Sequence, residues 1–190
     1  MSLKKIVIFA SGSGSSAENI ITNFKEKAEI SIEKLYCNNP KAFVLDRIKK
    51  YNIKKLIFAN EELQGEKILN DLKKIDPDLI VLAGFLKKIP LSIINNFKNK
   101  IINIHPSLLP SYGGKGMYGI NIHRAVIQNN ERKSGFTIHY VDQQYDTGNI
   151  IFQKSIDIET ANPEDLAKQI LNLEHKHYPI VIKEILNVKT

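Results

Sequence analysis

The chain has 190 residues, 43% of them hydrophobic and 25% charged, an ordinary globular balance that excludes low-complexity disorder. No apolar run approaches the ~18 residues of a membrane span, the N-terminal apolar stretch runs into a glycine turn instead of a signal cleavage site, and a lone cysteine, Cys37, excludes a disulfide framework or cysteine zinc site. Only Arg47, Arg124 and Arg132 of the 27 basic residues are arginine and the lysines fall in ones and twos, so the net charge of +7 describes a solvated surface better than a nucleic-acid footprint. These bounds lead to one domain over residues 1–190, in the cytoplasm, with neither a membrane nor a nucleic acid as partner.

Residues 5–10 (KIVIFA) are a β-branched apolar run, the mark of a buried strand, and stop at Ser11-Gly12-Ser13-Gly14-Ser15-Ser16. Ala17, Ile20, Ile21 and Phe24 then recur at helical spacing. Residues 30–36 read as a second strand closed by Cys37-Asn38-Asn39-Pro40, and Ala42, Phe43, Leu45, Ile48 and Tyr51 mark the apolar side of a second helix. A short strand over 55–59, a helix over 61–75 and a strand apolar on both faces over 79–85 (LIVLAGF) follow. Strands alternating with helices of this length predict parallel β-α-β units, hence an α/β fold with a doubly wound, mostly parallel sheet. Past residue 100 the pattern changes. A strand over 101–105 leads into a Gly-rich loop reaching Gly119, then a helix over 120–128. Two alternating strands, 136–141 and 150–158, predict an antiparallel edge. Asn162-Pro163-Glu164-Asp165 opens a long C-terminal helix, with an Asn cap, Pro at the first helical position and acids in the first turn. Pro179 is a candidate kink within it.

Three pieces carry chemistry. Gly12-x-Gly14-x-x-Ala17 follows a strand and opens a helix, so its bare amides sit at a positive helix end and suit an anion, above all a phosphate. A tight turn that binds nothing is the alternative. The same pattern fits a variant dinucleotide fingerprint, but Cys37-Asn38-Asn39 supplies no carboxylate about twenty residues on, which argues against a full NAD site. In the second piece, Asn103 and His105 stand two apart on a strand and share one side. An amide N–H there can bond an oxyanion and an imidazole can exchange a proton near neutral pH. A satisfied structural histidine is the alternative, opposed by the neighbouring Asn, the Pro and the long loop. The third is Asp146 in Tyr145-Asp146-Thr147-Gly148, either a carboxylate that raises the His105 pKa and holds a water or a turn aspartate capping its own backbone. His175 and His177 lie two apart on a helix, where two ligands do not share a face, and His123 and His139 have no metal partners at recognisable spacing, so no metal is expected.

Four blocks together, Ser11-Gly12-Ser13-Gly14-Ser15, LAGFLKKI at 82–89, NIHPSLLP at 103–110 and Tyr145-Asp146-Thr147-Gly148 followed by IIFQ, resemble the phosphoribosylglycinamide formyltransferases of the folate-dependent formyltransferase family. The resemblance extends through Glu174-His175 and Tyr178-Pro179. It implies a Rossmann-like formyltransferase fold and transfer of the formyl group of 10-formyltetrahydrofolate, the cosubstrate, to the amine of glycinamide ribonucleotide through a tetrahedral intermediate. Both partners are small molecules, no metal takes part, and a homodimer is left open. Residue by residue it implies that Asn103 stabilises the oxyanion, His105 donates the proton and Asp146 raises the His105 pKa. Gly14, Ser15 and Ser16 would hold the substrate phosphate and Glu174 the ribose hydroxyls. Leu86, Lys87, Lys88 and Ile89, with Asp142 and Tyr145, would line the pterin cleft.

The loop over 111–119 is longer than in many relatives, and its glycines suit a mobile lid. Around residues 60–66, where some relatives use an arginine near the folate tail, the chain has Glu61, Glu62 and then Lys67, so no folate-tail contact is assigned. The competing expectations are a formyltransferase acting on initiator methionyl-tRNA or an amino sugar nucleotide, and a folate- or nucleotide-binding module without catalysis. The length of the chain speaks against the tRNA enzyme and against a formyltetrahydrofolate hydrolase, both of which are expected to carry an additional domain. Asn103, His105 and Asp146 together speak against a non-catalytic module.

Overall fold

The computed structural model describes residues 3–188. Five strands, Lys4–Ala10 (β1), Ile30–Cys37 (β2), Lys55–Ile57 (β3), Leu79–Leu82 (β4) and Ile101–His105 (β5), lie parallel in the order β3-β2-β1-β4-β5. Lys133–Tyr140 (β6) and Ile150–Asp157 (β7) extend the sheet antiparallel beyond β5. Six helices cover it: Ser15–Phe24 (α1), Val44–Arg47 (α2), Glu66–Ile75 (α3), Leu91–Asn96 (α4), Ile120–Gln128 (α5) and Pro163–Ile185 (α6). The doubly wound sheet with an antiparallel edge and a long last helix is the architecture the sequence predicts.

Two cores follow from the period-2 alternation of the central strands. Ile6, Ile8 and Ala10 of β1 face one layer, where they meet Ala17, Ile20 and Ile21 of α1 and Ile170, Val181 and Ile182 of α6. Val7 and Phe9 face the other, against Leu69 and Leu72 of α3 and Ile93 of α4. There Phe9 stacks on Tyr36 at 4.6 Å and meets the Phe85 ring edge-on at 5.2 Å.

Several elements depart from the periodicity. The second helix is a single turn, α2, continued by a 3₁₀ stretch over Ile48–Tyr51, and Phe43 is exposed beneath the Arg47 guanidinium, 4.9 Å from its ring, not packed in the core. The helix expected over 61–75 is split by the extended backbone of Gly65 into a 3₁₀ stretch, Asn60–Gln64, and α3. β4 ends at Leu82 because Gly84 takes φ 72 and turns the chain outward. The six-residue α4, entered from Pro90, has too few turns to leave a periodic signal and was not expected. In α6 the Asn162 side chain accepts the Asp165 N–H at 3.0 Å, and the helix runs on through Pro179.

The strand order places β2 and β4 on opposite sides of β1, so the chain departs in opposite directions from the carboxyl ends of β1 and β4 and leaves a crevice between them. Ser11 stitches its floor: its N–H donates to Gly84 O (3.1 Å), its hydroxyl to Asn38 Oδ1 (2.6 Å), and it accepts the Leu86 N–H (3.1 Å). The segment after β5 is fixed to β6 and β7 through Thr137, whose hydroxyl donates to Ser107 O (2.7 Å) and accepts from Leu109 N (3.1 Å) and Gln153 Nε2 (2.8 Å).

Candidate active site

A cleft of about 680 Å³ opens at the carboxyl ends of β1, β4 and β5, and every residue to which the resemblance gives a role lines it. At one end lies the glycine loop. Gly14 holds φ 75 before α1, and a Cβ there would fall 2.3 Å from Val44 Cβ, so the position admits only glycine while Val44 stands where it does. Ser15 and Ser16 are the first residues of α1, whose unpaired N–H groups face this end of the cleft. The loop is braced from α2: Val44 N–H donates to Gly12 O (3.1 Å), Arg47 Nε to Ser13 O (2.8 Å) and Arg47 Nη1 to Glu18 Oε2 (2.7 Å).

Glu174, on α6, borders the same end and is 7% exposed. Burial pushes its carboxyl up to about 8. The other end is walled by the turn carrying Leu86, Lys87, Lys88 and Ile89 and by the loop after β6 that carries Asp142 and Tyr145. Ile89 is anchored in the core while Leu86 is half exposed and gives this end an apolar edge. Asp142 is engaged within its own loop, accepting Gln144 N–H (2.9 Å) and the Thr147 hydroxyl (2.7 Å). Gly148 lets that loop fold back, since a Cβ there would lie 1.8 Å from Tyr140 O.

Asn103, His105, His139 and Asp146 converge in the middle. The antiparallel register sets His139 of β6 directly opposite Asn103 of β5, and Asn103 Nδ2 lies 3.2 Å from His139 Nε2. His139 Nδ1 sits 2.8 Å from Tyr140 O, so Nδ1 carries the proton, Nε2 accepts from the amide, and the second amide N–H of Asn103 is left for the cleft. His105 Nε2 lies 2.8 Å from Tyr112 O and so carries its own proton, which leaves Nδ1 facing Asp146 Oδ2 at 3.6 Å. The other carboxylate oxygen of Asp146 is 3.6 Å from His139 Nε2, and Asp146 also accepts the Gly114 N–H (2.9 Å).

Burial is the strongest influence on His105 and holds its pKa below the ordinary value, while Asp146 and the Tyr112 carbonyl pull it upward and His139 pushes it further down. Asp146 thus acts in the expected direction, but desolvation outweighs it. For Asp146 itself burial is the largest single influence and pushes upward, yet His139, His105 and the Gly114 N–H together leave its carboxyl below the ordinary range. His139 is the component that sequence reasoning set aside. His123, also set aside, lines the cleft from α5, with Nδ1 buried and unpartnered; burial, aided by His105, pushes it down to about 4. Among the described residues, no group of three or more His, Cys, Asp or Glu side chains is placed to hold a metal ion, and no helix is long and apolar enough to cross a membrane.

Residues 4–182 match the formyl transferase family. The chain is 37% identical to the phosphoribosylglycinamide formyltransferase of Bacillus subtilis, over 98% of this chain and 96% of that protein. It is 36% identical to the chloroplastic phosphoribosylglycinamide formyltransferase of Arabidopsis thaliana over 96% of this chain, but spans only 65% of that relative's length. Among solved structures, the phosphoribosylglycinamide formyltransferase of Bacillus halodurans superposes with a TM-score of 0.86 at 33% identity, covering 96% of this chain and 95% of that one.

Proposed function

This chain belongs to the formyl transferase family, and from that premise we propose that it transfers the formyl group of 10-formyltetrahydrofolate to the amine of glycinamide ribonucleotide, a step of de novo purine biosynthesis. The observation that carries the reading is one cleft with an anion cradle at Gly14–Ser16, a buried Asn103–His105–Asp146 cluster at its centre and an apolar-edged slot at Leu86–Ile89. The amides at one end suit a phosphate ester and the apolar edge at the other suits a planar bicyclic ring, and the names of the relatives agree. The lone thiol of Cys37, buried and free, suits a reducing compartment such as the cytoplasm.

The geometry supports the following course for the protons. The substrate amine attacks while neutral, and negative charge grows on the formyl oxygen, where the free N–H of Asn103 donates. A rigid donor is worth most when it does not reorient, and His139 holds this amide in place. His105, its pKa lowered by burial, becomes a better base as negative charge develops beside it, so its charged form is favoured in the transition state more than in the ground state. As the new C–N bond forms, the attacking amine becomes an ammonium and gives one proton to His105 Nδ1, the nitrogen facing Asp146. His105 then passes that proton to the folate nitrogen as its bond to the formyl carbon breaks and the carbonyl re-forms. Purified protein given glycinamide ribonucleotide and fresh 10-formyltetrahydrofolate is expected to release formylglycinamide ribonucleotide at catalytic turnover. The absence of turnover with both substrates would overturn the reading.

A further inference from the structure

We propose that Tyr112 is a positioning residue that sets which nitrogen of His105 is reactive, and that its hydroxyl is held for this purpose by two residues remote from the cleft, Glu131 and Asn129. The proposal deepens the preceding reading and rests on His105 as the proton donor.

Tyr112 stands in the loop that leaves β5, seven residues after His105, and its backbone is left-handed, φ 58. A bulky aromatic residue does not adopt that conformation by preference, and it persists where the surroundings enforce it. The enforcement is visible at the far end of the side chain. The Tyr112 hydroxyl donates to Glu131 Oε1 at 2.7 Å and accepts from Asn129 Nδ2 at 2.9 Å. Both partners sit at the carboxyl end of α5 and in the turn that follows it, and both are exposed.

The consequence lies at the near end. With the ring pinned, the Tyr112 carbonyl accepts the His105 Nε2 proton at 2.8 Å. One loop turn further, Gly114 N–H donates to Asp146 Oδ2 at 2.9 Å. The same loop therefore orients both members of the His105–Asp146 pair, accepting a hydrogen bond from one and donating one to the other. A neutral imidazole has a single N–H, so a carbonyl that binds Nε2–H leaves Nδ1 as the lone pair facing the carboxylate. Were the carbonyl to move away, Nδ1–H would turn to Asp146 in the resting state and the lone pair would move to Nε2, away from the reacting centre.

The titratable groups facing His105 are Asp146, His139 across the strand pair and His123 from α5. None of them contacts the Tyr112 hydroxyl, so a change at Glu131 reaches His105 through the Tyr112 backbone. Loss of the carbonyl contact removes one of the two influences that raise the His105 pKa, so its titration moves to lower pH.

The test uses the full chain, ¹⁵N-labelled at histidine and without substrates, with His105 assigned from a His105→Asn sample. In the wild type, neutral His105 is expected to carry its proton on Nε2. Tyr112→Phe and Glu131→Ala should both give mixed tautomers and a lower His105 titration midpoint, whereas Glu131→Gln, whose amide oxygen still accepts, should behave as the wild type. Glu131 is exposed, so its replacement reports even if Tyr112→Phe folds poorly. In the formyl-transfer assay, Tyr112→Phe and Glu131→Ala should lower kcat about tenfold, part of the ~10²–10⁴ that a general acid supplies, with both KM values within about twofold. A wild-type His105 protonated on Nδ1, or variants with unchanged tautomer and titration, would overturn the proposal. An inactive wild type would overturn the functional reading instead, and the spectra would still decide the role of Tyr112.

Discussion

Asp146 sits between two imidazoles, 3.6 Å from His105 Nδ1 and 3.6 Å from His139 Nε2, with 10% of its side chain exposed. A carboxylate there favours the imidazolium of His105. Asp146→Asn keeps the shape and removes the charge, and its amide hydrogens donate to the His105 Nδ1 lone pair, which fixes the neutral ring. Turnover is therefore expected to fall by about 10²–10⁴ while folate affinity, measured by fluorescence titration, stays within about twofold; near-normal turnover would remove Asp146 from the proton path. His139→Phe is expected to lower kcat about tenfold with little change in either KM, because Asn103 loses the acceptor that orients it while the substrate contacts remain. The two histidines differ in how legible they were. His105 stands beside Asn103 in one motif of one strand, so residue spacing exposes it. His139 gains its place from the β5–β6 register, in which Asn103 faces His139 and His105 faces Thr137. Register depends on turn geometry and on which strand becomes the neighbour, and nothing local in residues 133–140 states either.

At the scale of elements, the glycine loop, predicted as an anion site, is shaped by its neighbour α2 as well as by the helix it opens. Arg47 ties Ser13 O to the Glu18 carboxylate, which also takes Lys50 Nζ at 2.8 Å, and Val44 fills the space a side chain at position 14 would need. Arg47→Ala is expected to raise KM for the phosphate-bearing substrate about tenfold, with kcat and the folate KM changed much less, since the brace acts on the cradle and not on the reacting groups. Gly14→Ala should be more severe, because it adds a clash with Val44 to an unfavourable φ. Steady-state kinetics with inorganic phosphate as a competitor reads both, and an unchanged phosphate inhibition constant in Arg47→Ala would show that the brace is dispensable. The brace was hidden in the sequence because α2 is a single turn, too short for periodicity to show what it faces. The same cause explains the missed α4. The long segments were legible for the opposite reason: α6 carries a cap, an N1 proline and six turns of apolar spacing, and β1 and β4 are apolar on both faces.

Taken whole, the molecule brings Gly14, His105, Asp146 and Glu174 to one crevice because β1 is flanked by β2 and β4, and because α6 returns across the sheet to lie against α1 and α5. Tyr178 anchors that return, its hydroxyl donating to Leu82 O at 3.0 Å. The arrangement buries Glu174 one turn before Tyr178, and the cost appears in the pH dependence of stability. In the folded state its carboxyl titrates at about 8 against an ordinary 4.5, so between these values the folded chain holds a proton the unfolded chain has lost. Stability therefore falls as pH rises through that window. His123 works the other way: held at about 4 against 6.5, it makes stability rise between those values, and the two slopes oppose each other up to about pH 6.5. His105, His175 and His177 are lowered from 6.5 and add to that rise at acid pH, the lowered carboxylates titrate lower still, and Cys37 is raised from 9.0, above the window. From pH 6.5 to 8, Glu174 acts largely alone. At about 1.4 kcal/mol per pH unit the ligand-free protein should lose about 1–2 kcal/mol over that interval, a fall of a few °C in Tm for a chain of this size. Glu174→Gln should abolish the decline while leaving the acid side of the profile in place. A wild-type Tm that is flat or rising between pH 6.5 and 8 would mean that Glu174 is already ionised in the folded protein, with water or a cation reaching it from the cleft.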